Sequence, residues 1–360
     1  MNTKADARLL SDRRGRVLTL RFNNPPHHHY DEQMSVELDQ LTRQLKRDRS
    51  IGAVIFTGQD GAYTHLNIPD LLQGARLTPF GVRYLPAKIL TGVTTMAGRS
   101  QWLDGRLRDT RMRGGMLLPR TYAALDRMNR MDKVFIAAIN GTALAFGCVF
   151  ALACDIRLMA AGDHVIGLPE SAVAMLGAAG GTQRLVRAVG ASRAVEMLLE
   201  GRYLTPDESA RIGLVHRVVA KDRLDAEAMT IAERLAQRPP LINREIKRLV
   251  YDAGSRSLSA GLRMEAASLV TAVSAPHAPR HAPRATSKRC SVNSIPCCPP
   301  SRRCAMRGTS SSVRRRPSLA CRAQGENQCL TRSCSLRSSP ISGKTHHQND
   351  SLKSFTTMWS

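Results

Sequence analysis

The sequence predicts an α/β fold that runs into an α-helical segment, and three observations carry that prediction. Short apolar runs, several closed by glycine or asparagine, alternate with helical spacing as far as Leu168. From Ser192 onward the spacing is helical. The chain has 360 residues, of which 42% are hydrophobic and 23% charged, so it is long and apolar enough for a substantial core.

Val17–Phe22 reads as a short strand, and Ser35 to Arg47 sets Val36, Leu38, Leu41 and Leu45 at helical spacing. Ile51 to Gly58 is a buried strand ended by glycine. A third strand, Val134–Ile139, leads into Asn140-Gly141. Thr142 to Ala153 is then small and apolar throughout, as a helix packed on all sides would be. Ile156–Ala160 and Val165 to Leu168 are two further short strands. Helices are expected over Arg193 to Glu200, Pro206 to Ile212, Leu224 to Gln237 and, with breaks, Pro240 to Ser268. No internal repeat appears.

The net charge of +24 is unevenly spread. Residues 276–360 hold 15 Lys or Arg against 2 acids, so +13 of the total sits in less than a quarter of the length. Seven of the nine cysteines lie there too; only Cys148 and Cys154 belong to the body. The sequence thus divides into a body, residues 1–275, with its helical part from about 192, and a Ser-, Pro- and Arg-rich tail with few large apolar residues. Such a tail should not fold alone, and its composition suits a disordered or out-of-frame segment. Its cysteine spacings contain no paired C-x-x-C units of a zinc site. Arg314-Arg315-Arg316 could hold phosphates by charge, but no interleaved aromatic offers a base a stacking surface, so nucleic acid is not the expected partner. No apolar run reaches the roughly 18 residues of a spanning helix, and Met1–Asp6 is not the start of a secretory signal. A cytoplasmic protein with reduced cysteines is expected.

Three clusters sit where strands end: Tyr63 to Leu72, Asn140 to Cys148, and Gly167-Leu168-Pro169-Glu170 followed by Gly177 to Leu185. A strand-end loop and a helix start can each aim a backbone N–H at one carbonyl oxygen, and two such donors make an oxyanion hole. Around them, Ala137 to Gly141, Ala151 to Arg157, Gly180 to Leu185 and Gly213 to Val219 fall in the order and spacing of one family. From about Val17 to Val273 the chain resembles the enoyl-CoA hydratase/isomerase family, the crotonase superfamily. The resemblance implies a spiral of ββα turns with a C-terminal helical region. It further implies acyl-CoA thioester substrates, enolate chemistry without a metal or redox cofactor, and assembly as a trimer or a pair of trimers.

Carried over residue by residue, the resemblance places one oxyanion donor at Phe146, the middle of the family's Gly-Gly-Gly run, which reads Ala145-Phe146-Gly147 here. The other falls on Leu66 or Asn67, depending on how Tyr63-Thr64-His65-Leu66-Asn67 is aligned. His65, Gly147, Val149 and Gly177 are expected to line the substrate pocket. Two glutamates act in the family's hydratases. The first position is Val149 here, which can neither accept a proton nor hold a water, and the second is kept as Glu170. A single carboxylate suits double-bond migration better than hydration. Non-catalytic acyl-CoA or subunit binding is the alternative expectation.

The chain also departs from the family in a longer segment over 74–130 and in lacking the closing Ala-Phe-x-x-Lys-Arg. Cys148 and Cys154 read as buried packing residues, Asp155 as an anchor for backbone at a strand start, and His65 as a partner for a nearby carbonyl. His27-His28-His29 reads as a solvated loop near the CoA phosphates, since three adjacent imidazoles cannot all face one ion.

Overall fold

The computed structural model describes residues 7–66, 83–100, 102, 106 and 116–275. The chain divides into two units, Met1–Thr286 and Ser287–Ser360. The basic tail, Asn67 and much of the 74–130 segment lie outside the described residues.

The strands are β1 (Leu9–Arg14), β2 (Val17–Phe22), β3 (His29–Tyr30), β4 (Ala53–Gly58), β5 (His65–Leu66), β6 (Val134–Ile139), β7 (Ala143–Leu144), β8 (Ile156–Ala160), β9 (Ile166–Gly167), β10 (Tyr203–Leu204) and β11 (Arg217–Val219). The helices are α1 (Glu32–Arg47), α2 (Tyr84–Arg99), α3 (Leu117–Arg130), α4 (Phe146–Ala153), α5 (Gly181–Val189), α6 (Ala191–Glu200), α7 (Pro206–Arg211), α8 (Leu224–Ala236), α9 (Pro240–Ala253) and α10 (Leu258–Ser274). A six-stranded sheet runs β1-β2-β4-β6-β8-β11, parallel throughout except for the antiparallel β1 edge. Asp12, Arg13 and Arg14 keep that edge charged and exposed, which discourages pairing with another chain. Two small sheets, β10-β9-β7 and β3-β5, stand beside it.

The main sheet is buried on both faces, so its central strands are buried at every position and, Thr57 apart, carry no polar side chain. Val54, Phe56, Phe135, Ala137 and Ile139 face the larger core with α1, α3 and α4. Ala53, Ile55, Val134, Ile136 and Ala138 face a smaller core closed by Leu224, Ala228, Ile231, Ala232 and Ala236 of α8. The 2-residue alternation of the strands thus assigns each side chain to one of two layers.

The expected helix Thr142 to Ala153 is two elements. Ala143 and Leu144 extend and pair in parallel with Ile166 and Gly167, and the helix begins only at Phe146. A run of small apolar residues does not distinguish strand from helix; the partner strand decided it. Three helices, α2, α3 and α5, and five strands, β1, β3, β5, β10 and β11, escaped the sequence reading. Of these, α3 packs on α1, where Arg120 pairs with Glu32 at 3.0 Å and Arg127 with Asp39 at 3.0 Å. The histidine run also differs from expectation. His28 is buried, its Nδ1 accepting from the Asn24 N–H, and His29 belongs to β3.

Candidate active site

Three segments converge at the C-terminal ends of β4 and β6. Asn140 ties the two loops together: its amide donates to the Gly58 carbonyl at 2.9 Å while its side-chain oxygen accepts from the Gly58 N–H at 3.1 Å. The chain after β4 then carries Thr64, His65 and Leu66 against the first turn of α4. Contact is tight enough that a Cβ on Gly147 would lie 2.0 Å from the Thr64 carbonyl oxygen, so only glycine fits.

Phe146 is the first residue of α4, and the N–H groups of a helix's first turn have no carbonyl partner within the helix. Among the described residues, no turn or loop carbonyl takes its N–H. The preceding Ala145 has φ 49° and ψ −115°, a conformation rarely adopted by residues bearing a Cβ, and its N–H is held by the Gly167 carbonyl at 3.0 Å. The Phe146 ring points inward and stacks on Tyr30 with 3.8 Å between centroids. Leu66 lies on β5, in register with Tyr30 of β3. Asn67, the alternative donor, lies outside the described residues.

Glu170 starts a 3-10 turn, Glu170–Val173, three residues after Gly167 of β9. Because β9 pairs with β7 immediately before α4, this places Glu170 beside the first turn of that helix. Its side chain is buried, with 8% of the residue exposed, and Oε2 has no hydrogen-bond partner. Desolvation by burial raises its pKa from 4.5 to about 7, opposed only by its own backbone N–H. Around it the walls are small or apolar. A Cβ on Gly177 would sit 3.5 Å from Glu170 Oε1 and 3.8 Å from Leu168 Cδ1; one on Gly181 would press on Val149 Cγ2 at 2.9 Å and Leu168 Cδ1 at 3.3 Å. Val149 is buried. The Cys148 thiol is held protonated, first by burial and then by the charge of Glu170.

His65 does not find the carbonyl expected for it: Nδ1 is buried without a partner. Desolvation, followed by the neighbouring His29, His27 and His28, lowers its pKa to about 4, so the ring is neutral at physiological pH. Asp155 does act as a backbone anchor, Oδ2 accepting from the Phe135 N–H at 2.8 Å. Tyr30 is a site neighbour that motif spacing did not indicate; only the β3-β5 pairing brings it in.

Residues 89–280 match the sequence profile described as enoyl-CoA hydratase/isomerase. A 2,3-dehydroadipyl-CoA hydratase of Escherichia coli (strain K12) is 32% identical over 261 residues, 71% of this chain and 87% of that protein. A probable enoyl-CoA hydratase of Rhizobium meliloti (strain 1021) is 31% identical over 258 residues, 71% of this chain and 86% of that one. In fold, the crystal structure of an enoyl-CoA hydratase from Bacillus anthracis superposes with TM-score 0.60 at 24% identity, covering 75% of this chain and 90% or more of its own, 92%. Among the described residues no helix is long and apolar enough to cross a membrane. The chain belongs to the enoyl-CoA hydratase/isomerase family, the crotonase superfamily of enzymes acting on acyl-CoA thioesters.

Proposed function

We propose that this enzyme moves the double bond of a 3-enoyl-CoA thioester to the 2-position, with Glu170 as its only acid-base group. The Phe146 N–H and that of Leu66 or Asn67 receive the thioester oxygen. Glu170 Oε2 takes a proton from C2, the electron pair spreads through the thioester as a dienolate, and the same carboxyl returns the proton at C4. The observation that carries this reading is the buried Oε2 without a partner, together with a buried valine, Val149, at the position where the family resemblance expects a second acid. A carboxyl whose pKa lies at about 7 is ionised often enough to accept a proton and protonated often enough to return one.

The test is conversion of 3-enoyl-CoA esters by the purified protein. Glu170→Gln should lower kcat by roughly 10²- to 10⁴-fold; undiminished turnover in that variant would reject the assignment. The names of the relatives favour hydration as the second reading. It requires 3-hydroxyacyl-CoA to form from a 2-enoyl-CoA at a rate matching or exceeding isomerisation.

A further inference from the structure

We infer that the stacked rings of Tyr30 and Phe146 form a strut that sets the gap between the two oxyanion donors. This inference rests on the reading of those amides as donors. One donor segment is β5, whose Leu66 is in register with Tyr30 of β3. The other is the first residue of α4, Phe146 itself. The two segments are therefore joined through side chains: the rings lie 3.8 Å apart between centroids and 24° from parallel. Neither ring is free to shift. Tyr30 is fully buried and its hydroxyl bonds to Thr121 Oγ1 at 2.9 Å, and Thr121 in turn donates to the Leu117 carbonyl at 2.7 Å within α3. Phe146 also meets Phe150, one turn further along α4, at 6.1 Å.

The strut has something to hold. Ala145, immediately before the donor, is kept at φ 49°, from which a residue with a Cβ relaxes if its surroundings permit. On the other side, Gly147 abuts the Thr64 carbonyl and stops α4 from approaching β5 more closely. The glycine contact limits the gap from below, and the aromatic stack prevents it from widening. Phe146 and Tyr30 are positioning residues here, since their rings act through the amides that they place.

The experiment uses butanoyl-CoA with a ¹³C-labelled thioester carbonyl, a saturated probe on which no double-bond chemistry occurs. Difference infrared spectroscopy of the bound probe reads the carbonyl stretch, which two aligned N–H donors lower. In Phe146→Leu, which keeps apolar volume and loses the stack, the stretch should return toward its value in water. Turnover of a 3-enoyl-CoA should fall by about 10²-fold in kcat, as for a misplacement of about 1 Å, with KM little changed. Tyr30→Leu should reproduce this, the double variant should add little to either single one, and Tyr30→Phe, which keeps the ring, should restore the lowered stretch. A shift unchanged from wild type in folded Phe146→Leu would overturn the strut alone. A wild-type protein that leaves the probe's carbonyl unshifted would overturn the oxyanion reading and the strut with it.

Discussion

Two carboxylates of this molecule, the half-buried Asp155 and the buried Glu170, are treated in opposite ways. Asp155, at the start of β8, has every bond that its position allows. Oδ2 accepts from the Phe135 N–H and from Lys247 Nζ at 2.9 Å, and Oδ1 from the Tyr251 hydroxyl. Lys247 spends its other donors on the carbonyls of Met128 and Lys133, at 2.9 and 2.8 Å. Glu170 is as deeply buried as Lys247, yet one of its oxygens has no partner. A charge removed from water costs several kcal/mol unless it is paired and hydrogen-bonded. Where the fold needs the charge, to fasten α9 to the sheet, it is fully compensated. Where it is left uncompensated the group is available to something that arrives, and this contrast supports the proposal that Glu170 is the working carboxyl.

Substitutions should separate the two roles. The largest effect is expected on the structural side: Lys247→Met leaves the half-buried Asp155 without its cation and should cost about 3–5 kcal/mol of stability, read as a lower denaturation midpoint. Glu170→Gln should do the reverse, losing turnover while gaining stability above neutral pH. Below about pH 4.5 the carboxyl is neutral in folded and unfolded chains alike, so its burial carries no charge penalty. As pH rises towards 7 only the unfolded chain ionises freely, and the native state loses up to ~3 kcal/mol relative to a neutral side chain. The midpoint difference between Glu170→Gln and wild type should therefore grow from pH 5 to pH 8; a constant difference would mean that the carboxyl is not held neutral by burial.

A smaller effect is expected in kinetics. With Glu170 acting as base, kcat/KM for a 3-enoyl-CoA should rise with pH through about 7 and level off above it. A flat profile from pH 5 to 9 would assign proton removal to another group. The smallest effect sharpens the contrast: Val149→Glu supplies a second acid but no partner for it, so a trace of 3-hydroxyacyl-CoA from a 2-enoyl-CoA is expected, with lower stability. Its absence in a folded variant would show that the wall around Val149 excludes the water as well as the acid.

The candidate residues were legible because the expected chemistry demands particular residue types. Glu170 after Pro169, Gly147 before Cys148 and the strand ends at Gly58 and Asn140 stand out in the one-dimensional order. Less of the fold was legible. The start of α1 follows from Asp31, whose side chain caps Met34 at 2.8 Å, but the expected boundary fell at Ser35. The helix α3 has a clear apolar face in Leu117, Ala124, Leu125 and Met128, and was missed within a segment read only as an extension. The solvated setting expected for His27-His28-His29 failed at His28, because the Asn24 N–H and the Thr64 hydroxyl supply the bonds that water would.

Taken alone, the amino-acid order determined the α/β class with its C-terminal helices and put Glu170 after Pro169 and Val149 after Cys148, since these depend on residue type and on periods of 2 and 3.6. The tertiary structure decided which polar atoms go without partners, that Ala143-Leu144 is a strand, and that Tyr30 meets Phe146. The reason is that hydrogen-bond satisfaction, strand pairing and ring stacking depend on groups far apart in the chain, and no local pattern records which of them meet.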